Sequence, residues 1–225
     1  MLIAGFQKTS FVDYPGQPSA VVFTAYCNLN CTYCHNYHIL GRDTPLLDEE
    51  TVLNYLDVRQ GLLKALVISG GEPTLQQNLD AFIRQVRTLS YAIKLDTNGC
   101  KPQVIKDLLR EHLLDYVAMD IKAPLELYSK ITRTEVDTNA IQKSIALLRN
   151  SDIPHEFRLT FAPELSTDDV VRAAKLVDGC DRFYLQQYRV RNSNDPAPHP
   201  PSTLKKTAEL VQNAIGTCTL RGLGV

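Results

Sequence analysis

Apolar positions along the 225-residue chain alternate between two rhythms. AVVFTA (20–25), ALVIS (65–69), YAIKLD (91–96), DYVAMDIK (115–122), HEFRLTF (155–161) and RFYLQQY (182–188) are short aliphatic or β-branched runs that predict strands. Between and after them, residues 47–59, 75–89, 101–112, 136–150, 166–177 and 202–215 repeat apolar residues three and four apart, as helices do. Start signals agree: acids open 47–59, Pro102 opens 101–112, Asp137 or Thr138 caps 136–150, and Ser166 with nearby acids opens 166–177. Six β–α units in strict alternation predict parallel strands with helices packed outside. Right-handed crossovers curl such a sheet. Six units fall short of a closed eight-fold barrel, so the expected fold class is α/β, a partial (β/α)6 TIM-like barrel with outer helices. A flat doubly wound sheet is the alternative. One domain is expected over 1–225: an N-terminal extension (1–19), a six-strand core (20–188), a loop (189–201), and a C-terminal helix and tail (202–225).

Composition narrows the partners. The chain is 44% hydrophobic, enough for one substantial core, and its net charge of −1 comes from interspersed acids and bases. No basic block points to nucleic acid or an anionic membrane. No apolar run approaches the roughly 18–20 residues of a membrane span, and MLIAGFQKTSFVDYPG lacks the charged start and long apolar stretch of a signal peptide. A cytoplasmic protein is expected. Of six cysteines, three crowd into CNLNCTYCHN (27–36), and Cys100, Cys180 and Cys218 are dispersed as ordinary buried small residues.

The unusual polar residues follow strands. Cys27, Cys31 and Cys34 follow the first, Ser69-Gly70-Gly71-Glu72-Pro73 the second, and Asp96-Thr97-Asn98-Gly99 the third; Asp120 and Lys122 end the fourth, Arg158 lies in the fifth, and Gln186 to Arg189 end the sixth. Ligands in either architecture bind at the carboxyl ends of parallel strands, so these residues are expected to share one mouth. Asp120 and Lys122 alternate and so face one side, where a charged pair is poor filler for a parallel sheet. Three thiols spaced C-x3-C-x2-C select zinc, copper(I) or an iron–sulfur centre. Zinc would be completed by His35 or His38. A [4Fe–4S] cluster would keep one iron open, because no fourth cysteine lies nearby. GGEP reads as a tight turn whose glycines permit close approach, with Glu72 as acceptor for an ammonium group.

With Tyr33 before the last cysteine and GGEP on the next unit, CNLNCTYCHN resembles the radical S-adenosylmethionine (SAM) superfamily. FVDYPG, YCHN, GGEP, LDTNG and MDIK resemble its glycyl-radical-enzyme activases, especially those of anaerobic ribonucleoside-triphosphate reductase in their longer form, with pyruvate formate-lyase activating enzyme a further relative. The resemblance implies a partial (β/α)6 barrel. It implies one [4Fe–4S] cluster on Cys27, Cys31 and Cys34, completed by the amine and carboxylate of SAM. It also implies Gly70, Gly71 and Glu72 at the methionyl amine, Asp96 and Lys122 at methionyl or ribose groups, Arg158 near the carboxylate, and the backbone near Tyr33 at adenine. Asp96, Thr97, Asp120 and the Ala118 carbonyl match a monovalent-cation site of the formate-lyase relative. The implied reaction cleaves SAM with an electron from a flavodoxin or ferredoxin-type donor. The resulting 5′-deoxyadenosyl radical takes hydrogen from a glycine of a partner enzyme. His35 then becomes a packing or supporting residue rather than a ligand. The sequence departs from formate-lyase activases in QQYRVRN, where Gln187 or Arg189 stands in place of a histidine, and it has no ferredoxin-like insert. The Pro-rich stretch Arg189–Pro201 is either a plain connection or a docking loop. A radical SAM enzyme acting on a small molecule, and a non-catalytic iron–sulfur or zinc module, are the competing readings.

Overall fold

The computed structural model describes residues 1–41 and 43–223; the last two residues of the expected tail lie outside them. The strands and helices, in chain order, are β1 (Ile3–Ser10), β2 (Ser19–Thr24), α1 (Glu49–Val58), β3 (Ala65–Gly70), α2 (Leu79–Thr88), β4 (Ala92–Thr97), α3 (Pro102–Arg110), β5 (Tyr116–Asp120), α4 (Tyr128–Thr132), α5 (Thr138–Arg149), β6 (His155–Phe161), α6 (Thr167–Lys175), β7 (Phe183–Gln187), α7 (Pro201–Ile215) and β8 (Thr219–Arg221). One sheet holds all eight strands in sequence order. β1 pairs antiparallel with β2, and every later neighbour is parallel. Among the described residues β1 and β8 do not pair, so the barrel is open, as expected.

The six alternating units stand where the hydrophobic rhythm placed them. The helices present stripes to the sheet: Leu79, Phe82, Ile83 and Val86 of α2 are buried at the spacing of one helical face. Ser166 and Asp169 form a reciprocal capping box on α6, and Asp137 caps α5. The structure adds three elements that the sequence pattern missed. Residues 3–10 of the expected extension are strand β1, β8 adds a three-residue edge, and α4 inserts a short turn after β5. Helix α2 also starts four residues later than its periodicity suggested. Pro73–Leu75 takes a 3-10 turn, and Gln76 is extended, its amide donating to the Ala25 carbonyl (2.9 Å) while its oxygen accepts from the Leu2 N–H (2.8 Å).

Strand alternation divides the sheet. Its outer positions (Leu66, Ile68, Leu95, Val117, Phe157, Leu159) are fully buried under the helices. On the concave side, Tyr14, Val21, Ala65, Val67 and Tyr116 form a small apolar floor. Beyond the floor the register sets Asp120 beside Arg158 and Asp96 beside Ala118, so the concave side turns polar towards the strand ends.

Candidate active site

The cysteine segment leaves β2 through a constrained corner. Tyr26 has left-handed backbone (φ 68), which a bulky residue seldom adopts. Its carbonyl accepts from the Glu72 N–H, and the Gly71 N–H donates to the Thr24 carbonyl, both at 2.8 Å. The glycines of GGEP therefore serve the chain itself. A Cβ on Gly70 (φ 116) would stand 2.2 Å from the Thr24 nitrogen, and one on Gly71 only 1.9 Å from the Tyr26 oxygen. The Asn30 and Thr32 N–H groups donate to the carbonyls of Thr132 and Ile131 on α4, and Arg191 donates to the Cys34 carbonyl at 3.1 Å. Arg191 also forks onto Asp195 (2.8 Å), so the stretch after β7 is fastened to the cysteine segment.

Deeper in the mouth two carboxylates meet three cations. Arg158 bridges Asp120 (2.7 Å) and Asp96 (3.3 Å), Lys94 reaches Asp96 (2.6 Å), and Lys122 reaches Asp120 (3.1 Å). The Ser69 hydroxyl donates to Asp96 as well (3.0 Å). Burial opposes the charge on Asp120, but Arg158 and then Lys122 outweigh it and hold the carboxyl well below its ordinary range. Asp96 is lowered in the same way: burial opposes its charge, and Arg158 and Lys94 prevail. Burial likewise opposes charge on Lys122, yet Asp120 and its other neighbours keep it firmly protonated.

Glu72, 1% exposed, is the hub behind the mouth. It accepts from the N–H and hydroxyl of Thr74, the hydroxyl of Thr97 (2.8 Å) and the N–H of Asn98 (2.7 Å). Burial still lifts its pKa, with those donors pulling the other way. Its side chain is thus already satisfied within the protein. Thr97 is turned to Glu72 and away from the Asp96–Asp120 pair.

The twelve side chains and glycines that the resemblance assigns to cluster, SAM or cation line one cavity of about 190 Å³: Cys27, Cys31, Cys34, Tyr33, Gly70, Gly71, Glu72, Asp96, Thr97, Asp120, Lys122 and Arg158; Ala118 and the residues 186–189, expected at the same mouth, do not. His35 lines it too; His38 does not. Sequence reasoning overlooked Leu29, Asn36, Leu40 and Thr160 on its wall, and Asn28 and Lys94 behind it. Lys94 was findable, because it alternates with Asp96 on β4 as Lys122 does with Asp120. Asn36, whose amide donates to the Gly70 carbonyl at 2.9 Å, left no signal in spacing. A second cavity of about 610 Å³ shares His35, Arg158 and Thr160 with the first and runs past Lys94, Glu156, Gln186, Gln187 and Arg189 to Val12 and Pro15. It is the lumen of the open barrel.

The thiols suit a cluster better than a single ion. Among the described residues, no three His, Cys, Asp or Glu side chains converge as ligands of one ion. A [4Fe–4S] cluster asks for something else: one thiolate on each of three irons, spread over a cavity wall. Burial pushes Cys27 up to about 12 and raises Cys31, so both are neutral in the bare chain and need a bound cationic centre to ionise them. The Tyr33 hydroxyl is buried without a partner among the described residues.

Known proteins resemble this chain in sequence and in fold. A Methanocaldococcus jannaschii protein named as a candidate glycyl-radical enzyme activating enzyme is 36% identical over 86% of this chain and 82% of its own. A Pyrococcus abyssi protein named as a candidate GTP 3′,8-cyclase is 30% identical over 49% of this chain, which spans only 37% of that relative. A radical SAM methyltransferase from Sphaerobacter thermophilus superposes with a TM-score of 0.73 at 15% identity, covering 95% of this chain and 68% of the other, a likeness of fold. The sequence model of the Radical SAM superfamily matches residues 21–177, from β2 through α6, the span that carries the cysteines and nearly all the charged mouth. The chain belongs to the radical SAM superfamily.

Proposed function

We propose that the protein is a glycyl-radical-enzyme activase whose partner is an anaerobic ribonucleoside-triphosphate reductase. Superfamily membership implies SAM and a [4Fe–4S] cluster. When bound, they supply a 5′-deoxyadenosyl radical by one-electron cleavage of SAM, the electron coming from a flavodoxin or ferredoxin-type donor. The protein's part is to hold, orient and shield. Cys27, Cys31 and Cys34 hold the cluster. Gly70 and Gly71 line the place of the methionyl amine, with Glu72 stiffening the wall behind them. Arg158 would face the carboxylate, Asp96 and Lys122 the ribose or methionyl groups, and the backbone near Tyr33 the adenine. With Lys94, Lys122 and Arg158 set against Asp96 and Asp120 in the mouth and Glu72 behind it, the bare site is near neutrality and suits a ligand carrying both signs. A monovalent cation at Asp96, Asp120 and the Ala118 carbonyl competes there with Lys94, Lys122 and Arg158.

The observation that carries the reading is the lumen. It joins the first cavity at Arg158 and Thr160 and carries polar side chains from Lys94 and Glu156 to Gln187 and Arg189 before its apolar end at Val12 and Pro15, as a passage for an extended backbone segment would. The M. jannaschii relative's name supports the same activity. The test is to incubate the protein with SAM, a reductant and the reductase. A glycyl-radical doublet in electron paramagnetic resonance is expected. SAM cleavage with the reductase and other glycyl radical enzymes of the same cell silent would refute the reading and favour a small-molecule substrate.

A further inference from the structure

Asn98 joins three segments of the site that lie far apart in sequence. It is 5% exposed, in the turn after β4. Its backbone N–H donates to Glu72 Oε2 at 2.7 Å. Its side-chain oxygen accepts from the Cys100 N–H at 2.9 Å, which fixes which end of the amide is nitrogen. The nitrogen then donates to Asn28 Oδ1 at 2.9 Å and to the Cys27 sulfur at 3.8 Å. The same sulfur accepts the Leu29 N–H at 3.4 Å. Among the described residues, Cys27 is the one cysteine of the three whose sulfur accepts from another side chain. Every polar group of the Asn98 side chain is thereby used. The residue serves neither as SAM contact nor as cluster ligand in the function proposed above.

We propose that Asn98 is a positioning residue that sets the redox poise of the cluster through the Cys27 sulfur and ties that sulfur to the Glu72 wall. This rests on Cys27 being a cluster ligand. An added electron raises the negative charge on the cluster and its thiolate ligands. An N–H aimed at such a sulfur therefore stabilises the reduced state more than the oxidised one and raises the potential. The effect matters where a weak biological reductant must supply the electron. Aspartate, serine and alanine cannot repeat the arrangement here. Aspartate loses the donor to sulfur and sets a second carboxylate beside Glu72, and serine or alanine has no N–H.

The test uses anaerobically reconstituted wild type, Asn98→Ala and Asn98→Ser. Serine keeps an oxygen for the Cys100 N–H and so preserves the turn. Iron and sulfide are counted, and the cluster is titrated reductively without SAM, followed by electron paramagnetic resonance. Both variants are expected to hold full clusters that are harder to reduce by about tenfold in the equilibrium constant, ~59 mV for one electron. Full clusters titrating at the wild-type potential overturn the proposal. Loss of the cluster from both variants also overturns it, because Asn98 would then be an assembly residue. A wild type that binds no cluster removes the reading of the cysteines as well, which separates the two failures.

Discussion

Gly71→Ala isolates the junction between the GGEP turn and the cysteine segment. The new methyl would sit 1.9 Å from the Tyr26 carbonyl oxygen and 2.5 Å from its carbon. Tyr26 must retreat by more than about 1 Å to reach ordinary contact. That retreat breaks the Glu72 N–H bond to the same oxygen and strains the neighbouring Gly71 N–H bond to Thr24, both 2.8 Å. A buried donor left unmatched costs about 1–3 kcal/mol, and overpacking adds about 1–3. The sum is about 2–6 kcal/mol, a large share of a typical domain's stability. For a chain of this size each kcal/mol moves Tm by about 2–4 °C, so a fall of about 10 °C is expected in circular dichroism melts of the apo-protein. Gly16→Ala is the control. Its backbone is left-handed (φ 70) but nothing lies within 4 Å of a Cβ there, so it costs about 1–2 kcal/mol of conformational strain without collision. If Gly71→Ala melts within about 2 °C of wild type, the junction is not rigid and the argument fails. The variant is also expected to lose iron, since its displaced segment begins at the residue before Cys27.

Other perturbations probe the mouth. Cys31→Ala is expected to lose iron, sulfide and SAM cleavage together; retained cleavage, assayed as 5′-deoxyadenosine, would remove Cys31 from the ligand set. Arg158→Leu leaves Asp96 and Asp120 facing each other without their shared cation, and should destabilise the apo-protein by about 3 kcal/mol in urea unfolding, the low end for broken buried pairs because Asp120 keeps some solvent contact. No change in the urea midpoint would show that Lys94 and Lys122 suffice. Asp96 and Asp120 titrate below the ordinary carboxylate range in the folded protein, so their stabilisation is complete above pH about 4 and drains away as pH falls through the folded values. Asp120→Asn should therefore flatten the acid limb of a Tm-against-pH curve, and an acid limb parallel to wild type would contradict this assignment.

Several features of the site could be read locally. The cysteine spacing, GGEP, and the charged residues at strand ends needed only strand alternation and the rule that ligands gather at the carboxyl ends. All twelve residues accordingly line one cavity. Partners whose pairing crosses the sheet were hidden. Nothing in LDTNG shows that Asn98 meets Asn28 and Cys27, some seventy residues earlier, and nothing in YCHN shows that Asn36 holds Gly70. Likewise nothing in QQYRVRN shows that Arg191 holds the Cys34 carbonyl.

The sequence by itself determined the six β–α units, because apolar periodicity is a property of each segment and its burial. It also determined the chemistry of the mouth, since thiols and paired charges keep their character wherever they are placed. Tertiary structure decided the edges and the meaning of the glycines. β1 and β8 are strands because neighbours offer them hydrogen-bond partners, a non-local condition that short or weakly patterned segments do not announce. Gly70 and Gly71 look like a space left for a ligand, but their first requirement is the backbone of β2 and Tyr26 against which they pack. That contact exists only once the first two units of the barrel are side by side.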